Sequence, residues 1–159
     1  MQDYVKQDKN IKYLEDEALT IEFNDAKINL WGTPWTGIHG KPGKGFQVPR
    51  DTLIEKWNKI PVTTDILISH MPPHDILDRN GDNKGGIKAG CKDLQRTVLE
   101  RVKPRIHVFG HIHESHGTLV KDGILFINAA SKIPKTEDKM NAPVVVNYDL
   151  ESREVMLES

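Results

Sequence analysis

Apolar and polar residues alternate in two short segments near the start of the chain, which predicts two half-buried β-strands. These segments are Leu19–Phe23 and Lys27–Trp31, the second of which stops at Gly32. Two later runs, Asp65–Ser69 and Ile106–Phe109, are short and mainly apolar. Such runs are typical of strands buried inside a layered α/β sheet. Three more strands are predicted over Gly117–Val120, Ile124–Asn128 and Val144–Leu150, and Glu151–Met156 is expected to close a last hairpin.

Two segments have the spacing of amphipathic helices. Asp51–Trp57 places its apolar residues on one face, and Asp51 is predicted to cap it. Lys92–Val102 repeats apolar residues at helical intervals, and Pro104 prevents its continuation. The order is strand, helix, strand and then a strand-rich tail. This order predicts an α/β fold with a mixed sheet, forming one half of a two-sheet sandwich flanked by helices.

Histidines follow directly after both of the predicted buried strands. His70 comes after the first, and Gly110 followed by His111 comes after the second, with His113 two residues further on. Ligands of open α/β sheets bind beyond the carboxyl ends of the strands, and imidazole is a common neutral metal ligand. A lone histidine in this position is more often a hydrogen-bonded surface or core residue. The combination of three favours a metal site.

Composition and charge narrow the functional class. The 159 residues suffice for one domain with a core, and 37% are hydrophobic. The net charge of −1 gives no global field that would steer the chain onto nucleic acid or an anionic membrane. Cys91 is the single cysteine, so no intrachain disulfide forms. The chain starts without an apolar signal region, so we expect a cytoplasmic location with neither nucleic acid nor membrane as partner.

Several motifs together resemble the calcineurin-like metallophosphoesterase family. Gly110–His113 and Ser69–Pro73, each after a buried strand, carry the resemblance. Further segments narrow it to the metallophosphoesterase-domain-containing (239FB-like) branch. They are Tyr13–Asp16, Trp31–Trp35, Gly45–Arg50, Lys56–Pro61, Gly90–Cys91, Arg101–Pro104 and Phe126–Ala129. The similarity runs from about Tyr13 to Tyr148.

The resemblance implies an α/β/β/α sandwich with a dinuclear site of divalent manganese, iron or zinc. Ions in such a site polarise phosphoryl oxygens and lower the pKa of a bridging water, which attacks phosphorus. Carried over by motif, His70 and His111 would bind one ion and His113 the other. The implied function is metal-dependent hydrolysis of small phosphoesters, diesters rather than monoesters, with cyclic nucleotides as a substrate suggested by resemblance alone.

The family's other site motifs, Asp-x-His, Gly-Asp-x-x-Asp and Gly-Asn-His-Asp/Glu, do not occur in the sequence. The bridging carboxylate is therefore absent, and residues 1–159 are expected to form a single partial domain, the C-terminal part of the sandwich. We expect a truncated product, a split-gene half or a partial gene model. Its predicted partner is an N-terminal half polypeptide or a second copy, because an open sheet edge would be exposed.

Three hypotheses stay open at this point. The chain is the C-terminal half of a phosphoesterase, a non-catalytic module that binds metal or needs a complementing chain, or a remnant without function of its own. Among smaller features, Asp78–Asn83 departs from a calcium-binding loop and is interpreted as a polar surface loop that forms one wall of the substrate pocket. Arg50 is a candidate phosphate contact, and His74, His107 and His116 are interpreted as structural or solvent-exposed.

Overall fold

The computed structural model of the protein describes residues 11–38, 45–81, 86–136 and 138–158. Its largest element is a six-stranded sheet with the order β1-β2-β5-β8-β10-β9. The strands along the chain are β1 (Glu17–Phe23), β2 (Ala26–Thr33), β3 (Thr36–Gly37), β4 (Gln47–Val48), β5 (Ile66–Ser69), β6 (Arg79–Asn80), β7 (Ile87–Lys88), β8 (Ile106–Phe109), β9 (Gly117–Lys121), β10 (Ile124–Asn128), β11 (Val146–Tyr148) and β12 (Val155–Leu157).

The sheet is mixed, as the sequence predicted. Its four central strands run parallel, from β2 through β5 and β8 to β10. The edge strands β1 and β9 pair antiparallel with their neighbours. The predicted final hairpin is also present, since β11 and β12 pair antiparallel. The α/β fold class with a mixed sheet is therefore confirmed.

The helices are short and lie where the sequence placed them. A 3₁₀ turn over Arg50–Thr52 leads into α1 (Leu53–Trp57). α2 (Lys92–Arg96) continues as a π-helix over Thr97–Val102. The prediction that Asp51 caps the first helix is wrong, because neither the 3₁₀ turn nor α1 has a side-chain cap hydrogen bond. Asp51 instead lies inside the 3₁₀ turn, one position past Arg50 where that turn begins.

The core lies on one face of the sheet, between the strands and the helices. Trp57 and Leu94 from the helices pack there with Leu67 and Phe126 from the strands, and all four are fully buried. A smaller cluster lies on the other face, where the β11–β12 hairpin packs against Ile106, Leu125 and Ile127. No helix among the described residues is long and apolar enough to cross a membrane.

The segment from Met71 to Gly90, which includes the predicted polar loop, contains the small antiparallel hairpin of β6 and β7. Asp78 is 4% exposed and its carboxylate accepts a hydrogen bond from the Gly90 backbone N–H at 3.0 Å. It is therefore a buried anchor of this segment rather than a surface residue. Asp82 and Asn83 of the predicted polar loop, and most of the glycine-rich run after Gly37, lie outside the described residues.

Candidate functional site

The structure brings His70 and His111 into direct contact. β5 and β8 are parallel neighbours, so their carboxyl ends meet at the same edge of the sheet and the residues that follow lie side by side. The Nε2 atom of His70 is 2.9 Å from the Nδ1 atom of His111. The backbone is joined at the same point, where the Gly110 N–H donates to the carbonyl oxygen of His70 at 3.2 Å.

His111 has a strained backbone. Its φ is 69°, in the left-handed region that side chains other than glycine rarely adopt. The Ile112 N–H donates to the Gly110 carbonyl at 2.8 Å, so His111 is the centre of a three-residue γ-turn of the rarer, positive-φ form. Such strain costs about 1–3 kcal/mol and is concentrated at functional sites. The turn directs the imidazole of His111 toward His70.

A cavity of about 590 Å³ includes all three predicted histidines in its lining. The other lining residues are Thr36, Gly45, Gln47, Asn80, Ala89, Ile112 and Glu114. Asn80, from the segment after Pro72–Pro73, lines the same cavity as the histidines. Within residues 11–38, 45–81, 86–136 and 138–158, however, no group of three or more His, Cys, Asp or Glu side chains is arranged to hold a metal ion. His113 thus shares the cavity without joining the contacting pair.

The contacting pair fits the ligand geometry of a divalent ion. Two nitrogen ligands bonded at about 2.0–2.1 Å, at octahedral or tetrahedral angles, lie roughly 2.9–3.4 Å apart. The 2.9 Å between the His70 and His111 nitrogens falls at the lower end of this range. Burial lowers the pKa of His70, which favours the neutral imidazole that binds metal. The His70 and His111 nitrogens therefore have the chemistry and the spacing of two ligands to one divalent ion. Two neutral imidazoles do not make a complete set of ligands.

A buried histidine supports the end of β5. His107 is fully buried and its ring nitrogen Nε2 lies 2.9 Å from the Ser69 hydroxyl, which itself donates to the Met71 carbonyl at 2.9 Å. Since the single hydroxyl proton is used for Met71, Nε2–H of His107 is the donor to Ser69. Burial lowers the pKa of His107 from 6.5 to about 3, so the ring is neutral. His107 therefore fixes the turn from which His70 projects.

Asn128 is a positioning residue that the sequence did not single out. It is fully buried at the end of β10, and its Nδ2 donates to the carbonyls of Leu77 at 3.0 Å and Ile112 at 2.8 Å. Its Oδ1 accepts the Ala130 N–H at 3.1 Å. The side chain thereby joins the segment before β6 to the histidine turn. The sequence feature that could have indicated this role is the amide side chain at the end of an otherwise apolar strand.

The structure places Arg50, the predicted phosphate contact, against backbone carbonyls. Its guanidinium donates to the backbone carbonyl of Ala89 at 2.9 Å and reaches that of Gly90 at 3.5 Å. It is not among the residues that line the histidine cavity. Its side chain instead packs against Gly37, where an added Cβ would lie 2.5 Å from the Arg50 Cγ. Arg50 therefore anchors the segment that leads into α2.

Comparison with known proteins shows what this chain is similar to. No family model matches the chain. Human metallophosphoesterase domain-containing protein 1 is 39% identical over 139 residues, which cover 87% of this chain and 40% of that protein. A UPF0046 protein of Caenorhabditis elegans is 40% identical over 123 residues, 76% of this chain and 41% of that protein. The chain thus spans about two fifths of the length of these curated relatives.

The fold is shared with a solved structure as well. One crystal structure superimposes with a TM-score of 0.56 at 15% sequence identity, covering 94% of this chain and 54% of the other. Identity at that level shows the fold alone, while the two relatives carry the family assignment. Over the part that it spans, the chain belongs to the calcineurin-like metallophosphoesterase family, in the branch of metallophosphoesterase domain-containing protein 1.

Proposed function

We propose that this chain carries the histidine part of a metal-dependent phosphodiesterase site. His70 and His111 would bind one divalent ion, His113 would bind a second, and manganese, iron or zinc would serve. The observation that carries the proposal is the 2.9 Å approach of the His70 and His111 nitrogens, held by a strained turn at a cavity. A divalent ion bound there would supply the positive charge that polarises a phosphoryl oxygen.

The charge of the cavity supports a metal-dependent reaction. Its described lining contains no lysine and no arginine, and Glu114 is its one charged residue. A phosphate entering this cavity therefore lacks a basic side chain to offset its negative charge. A metal ion held by His70 and His111 would provide that offset. A diester carries one negative charge where a monoester carries up to two, so the sparse positive charge favours the diester.

A second candidate function is a module completed by another polypeptide. Ile68 lies on β5, the third of six strands, yet it is 40% exposed. It borders a groove of about 340 Å³ that also includes Leu14, Pro34 and His70. An exposed apolar residue on a central strand favours a partner that covers this face. Such a partner, an N-terminal half or a second copy, would bring carboxylates beside His70 and complete the ligand set.

A chimera tests the phosphodiesterase proposal. We would replace the matching two fifths of human metallophosphoesterase domain-containing protein 1 with this chain and assay bis(p-nitrophenyl) phosphate hydrolysis with Mn²⁺. The expected result is metal-dependent turnover that His70→Ala or His111→Ala abolishes and His74→Ala leaves unchanged. His74 is the matched control because it does not line the cavity. If the human protein is active and the folded chimera is not, the phosphodiesterase proposal is wrong.

The chain by itself provides the complementary assay. With Mn²⁺ we expect hydrolysis near background, because the described residues offer two contacting imidazoles and no bridging carboxylate. The His70→Ala/His111→Ala double variant serves to exclude a contaminating phosphatase. Robust turnover that disappears in the double variant would show that this chain needs no second polypeptide.

A further inference from the structure

The cavity that contains the histidines has a second kind of lining, contributed by β3 and β4. These strands pair in parallel, and Thr36 and Gln47 are partners in their register. Both residues line the cavity. The pairing therefore places a hydroxyl and a carboxamide next to each other in the same cavity as His70 and His111.

Both side chains have buried oxygen atoms without a hydrogen-bond partner in the described structure. These atoms are Thr36 Oγ1 and Gln47 Oε1, and Thr36 as a whole is 4% exposed. Buried polar atoms in native proteins are almost always paired, so two adjacent exceptions need a reason. Leaving a buried polar atom unpaired lowers stability. Losses of this kind are retained where a ligand supplies the missing hydrogen bond.

We propose that Thr36 and Gln47 form a subsite that hydrogen-bonds the organic group of the phosphoester, and that this group is uncharged and bears hydroxyls, as a sugar or a polyol does. The location of the phosphate beside the histidines rests on the proposed function. Gln47 Oε1 accepts hydrogen bonds only, so the ligand must bring a donor. A hydroxyl both donates and accepts, which satisfies either orientation of the amide and also the Thr36 hydroxyl.

The charge of the lining agrees with this ligand class. Thr36, Gln47 and Asn80 are neutral hydrogen-bonding residues, and the one charged residue, Glu114, is acidic. An organic group with further phosphates would meet no basic side chain in the described lining. The subsite therefore selects a neutral hydroxylated group against a polyanionic one.

Stability distinguishes a binding role from a structural one. Thr36→Val removes a hydroxyl that has no partner, so we expect the melting temperature to stay the same or to rise. The matched control is Thr64→Val, since Thr64 is 5% exposed and its hydroxyl donates to the Pro61 carbonyl at 2.8 Å. That variant should melt at a lower temperature. If Thr36→Val is destabilised as much as Thr64→Val, the Thr36 hydroxyl is structural and the proposal is overturned.

Binding is tested with two ligands that differ only in hydroxyls, glycerol 3-phosphate and propyl phosphate. Ligand-observed NMR of the whole chain with Mn²⁺ replaced by diamagnetic Zn²⁺ gives both affinities. We expect glycerol 3-phosphate to bind about tenfold more tightly, the gain of one or two hydrogen bonds. Thr36→Val combined with Gln47→Met should remove this preference and leave propyl phosphate binding unchanged, whereas Thr64→Val should keep the preference.

The outcomes separate the subsite from the phosphoesterase proposal. Equal affinities in the wild type, or a preference that survives in the Thr36/Gln47 variant, overturn the subsite even if both ligands need Zn²⁺ and His70. A preference that depends on Thr36 and Gln47 but on neither Zn²⁺ nor His70 supports the subsite and counts against the proposed metal site. Absence of binding by both ligands overturns the subsite, while the phosphodiesterase proposal, which favours diesters, is decided by the chimera.

Discussion

Replacing His107 with glutamine should remove a large part of the acid sensitivity of the fold. His107 is fully buried, and burial lowers its pKa from 6.5 to about 3. The unfolded chain therefore takes up a proton at His107 near pH 6.5, while the folded chain does not until about pH 3. Stability from this residue is fully present above pH 6.5 and is lost as the pH falls from 6.5 toward 3.

The size of the loss follows from the difference in protonation. At pH 5 the pH lies about 1.5 units below the pKa of His107 in the unfolded chain, so the free energy of unfolding is about 2 kcal/mol lower than at pH 7. Glutamine in place of His107 does not titrate, and its amide still reaches the Ser69 hydroxyl that His107 contacts. Other groups titrate in both proteins and cancel when the two are compared.

The measurement is urea unfolding of both proteins at pH 7 and pH 5, followed by circular dichroism. From pH 7 to pH 5, the free energy of unfolding of the wild type should fall by about 2 kcal/mol more than that of His107→Gln, even if the variant is less stable at both pH values. Thr64→Val is the control, since it removes a buried hydroxyl that donates to the Pro61 carbonyl and changes no titratable group, so it should keep the wild-type pH dependence. The same pH dependence in wild type and His107→Gln would refute the reasoning that His107 is buried as a neutral ring.

Two further substitutions test the packing around the site. Asn128→Ala should lower the free energy of unfolding by about 2–4 kcal/mol in urea titrations. It leaves the Leu77 carbonyl and the Ala130 N–H unpaired, and it leaves the Ile112 carbonyl with the Ser115 N–H alone. Asn147→Ala, at an exposed position, should change the free energy of unfolding by less than about 0.5 kcal/mol, and equal effects of the two substitutions would contradict the positioning role of Asn128. Gly90→Ala should lower the free energy of unfolding by about 2 kcal/mol or more, since the added Cβ would lie 2.4 Å from the Pro73 carbonyl oxygen. An unchanged melting temperature would show that the backbone at Gly90 moves to make room for the Cβ.

The sequence predicted the positions of the site-bearing strands because their signal is local. Asp65–Ser69 and Ile106–Phe109 are short apolar runs followed by histidines, and β5 and β8 lie there. That the two strands are neighbours depends on the whole sheet, and the direct His70–His111 contact depends in turn on that pairing. Hydrophobic spacing alone predicts neither the pairing of these two strands nor the contact between the two histidines.

The remaining features depend on long-range contacts. The positive φ of His111 is set by its hydrogen-bonded surroundings; histidine adopts positive φ more often than most residues, but too rarely for the residue type alone to predict it. The π-helix over Thr97–Val102 has the same apolar spacing as an α-helix over so short a span, so the sequence predicted its extent but not its type. The carbonyl partners of Arg50 lie some forty residues away in the chain, so the sequence pattern did not predict these hydrogen bonds.

The central claim is that His70 and His111 bind the same divalent ion. The direct measurement is a Zn²⁺ titration of the ¹⁵N-labelled chain, with the histidine side-chain nitrogens followed by long-range ¹H–¹⁵N NMR. The account predicts that His70 Nε2 and His111 Nδ1, 2.9 Å apart, shift together during the first equivalent while His107 stays unchanged. Independent shifts of the two nitrogens, or first binding at His74 or His116, would contradict it.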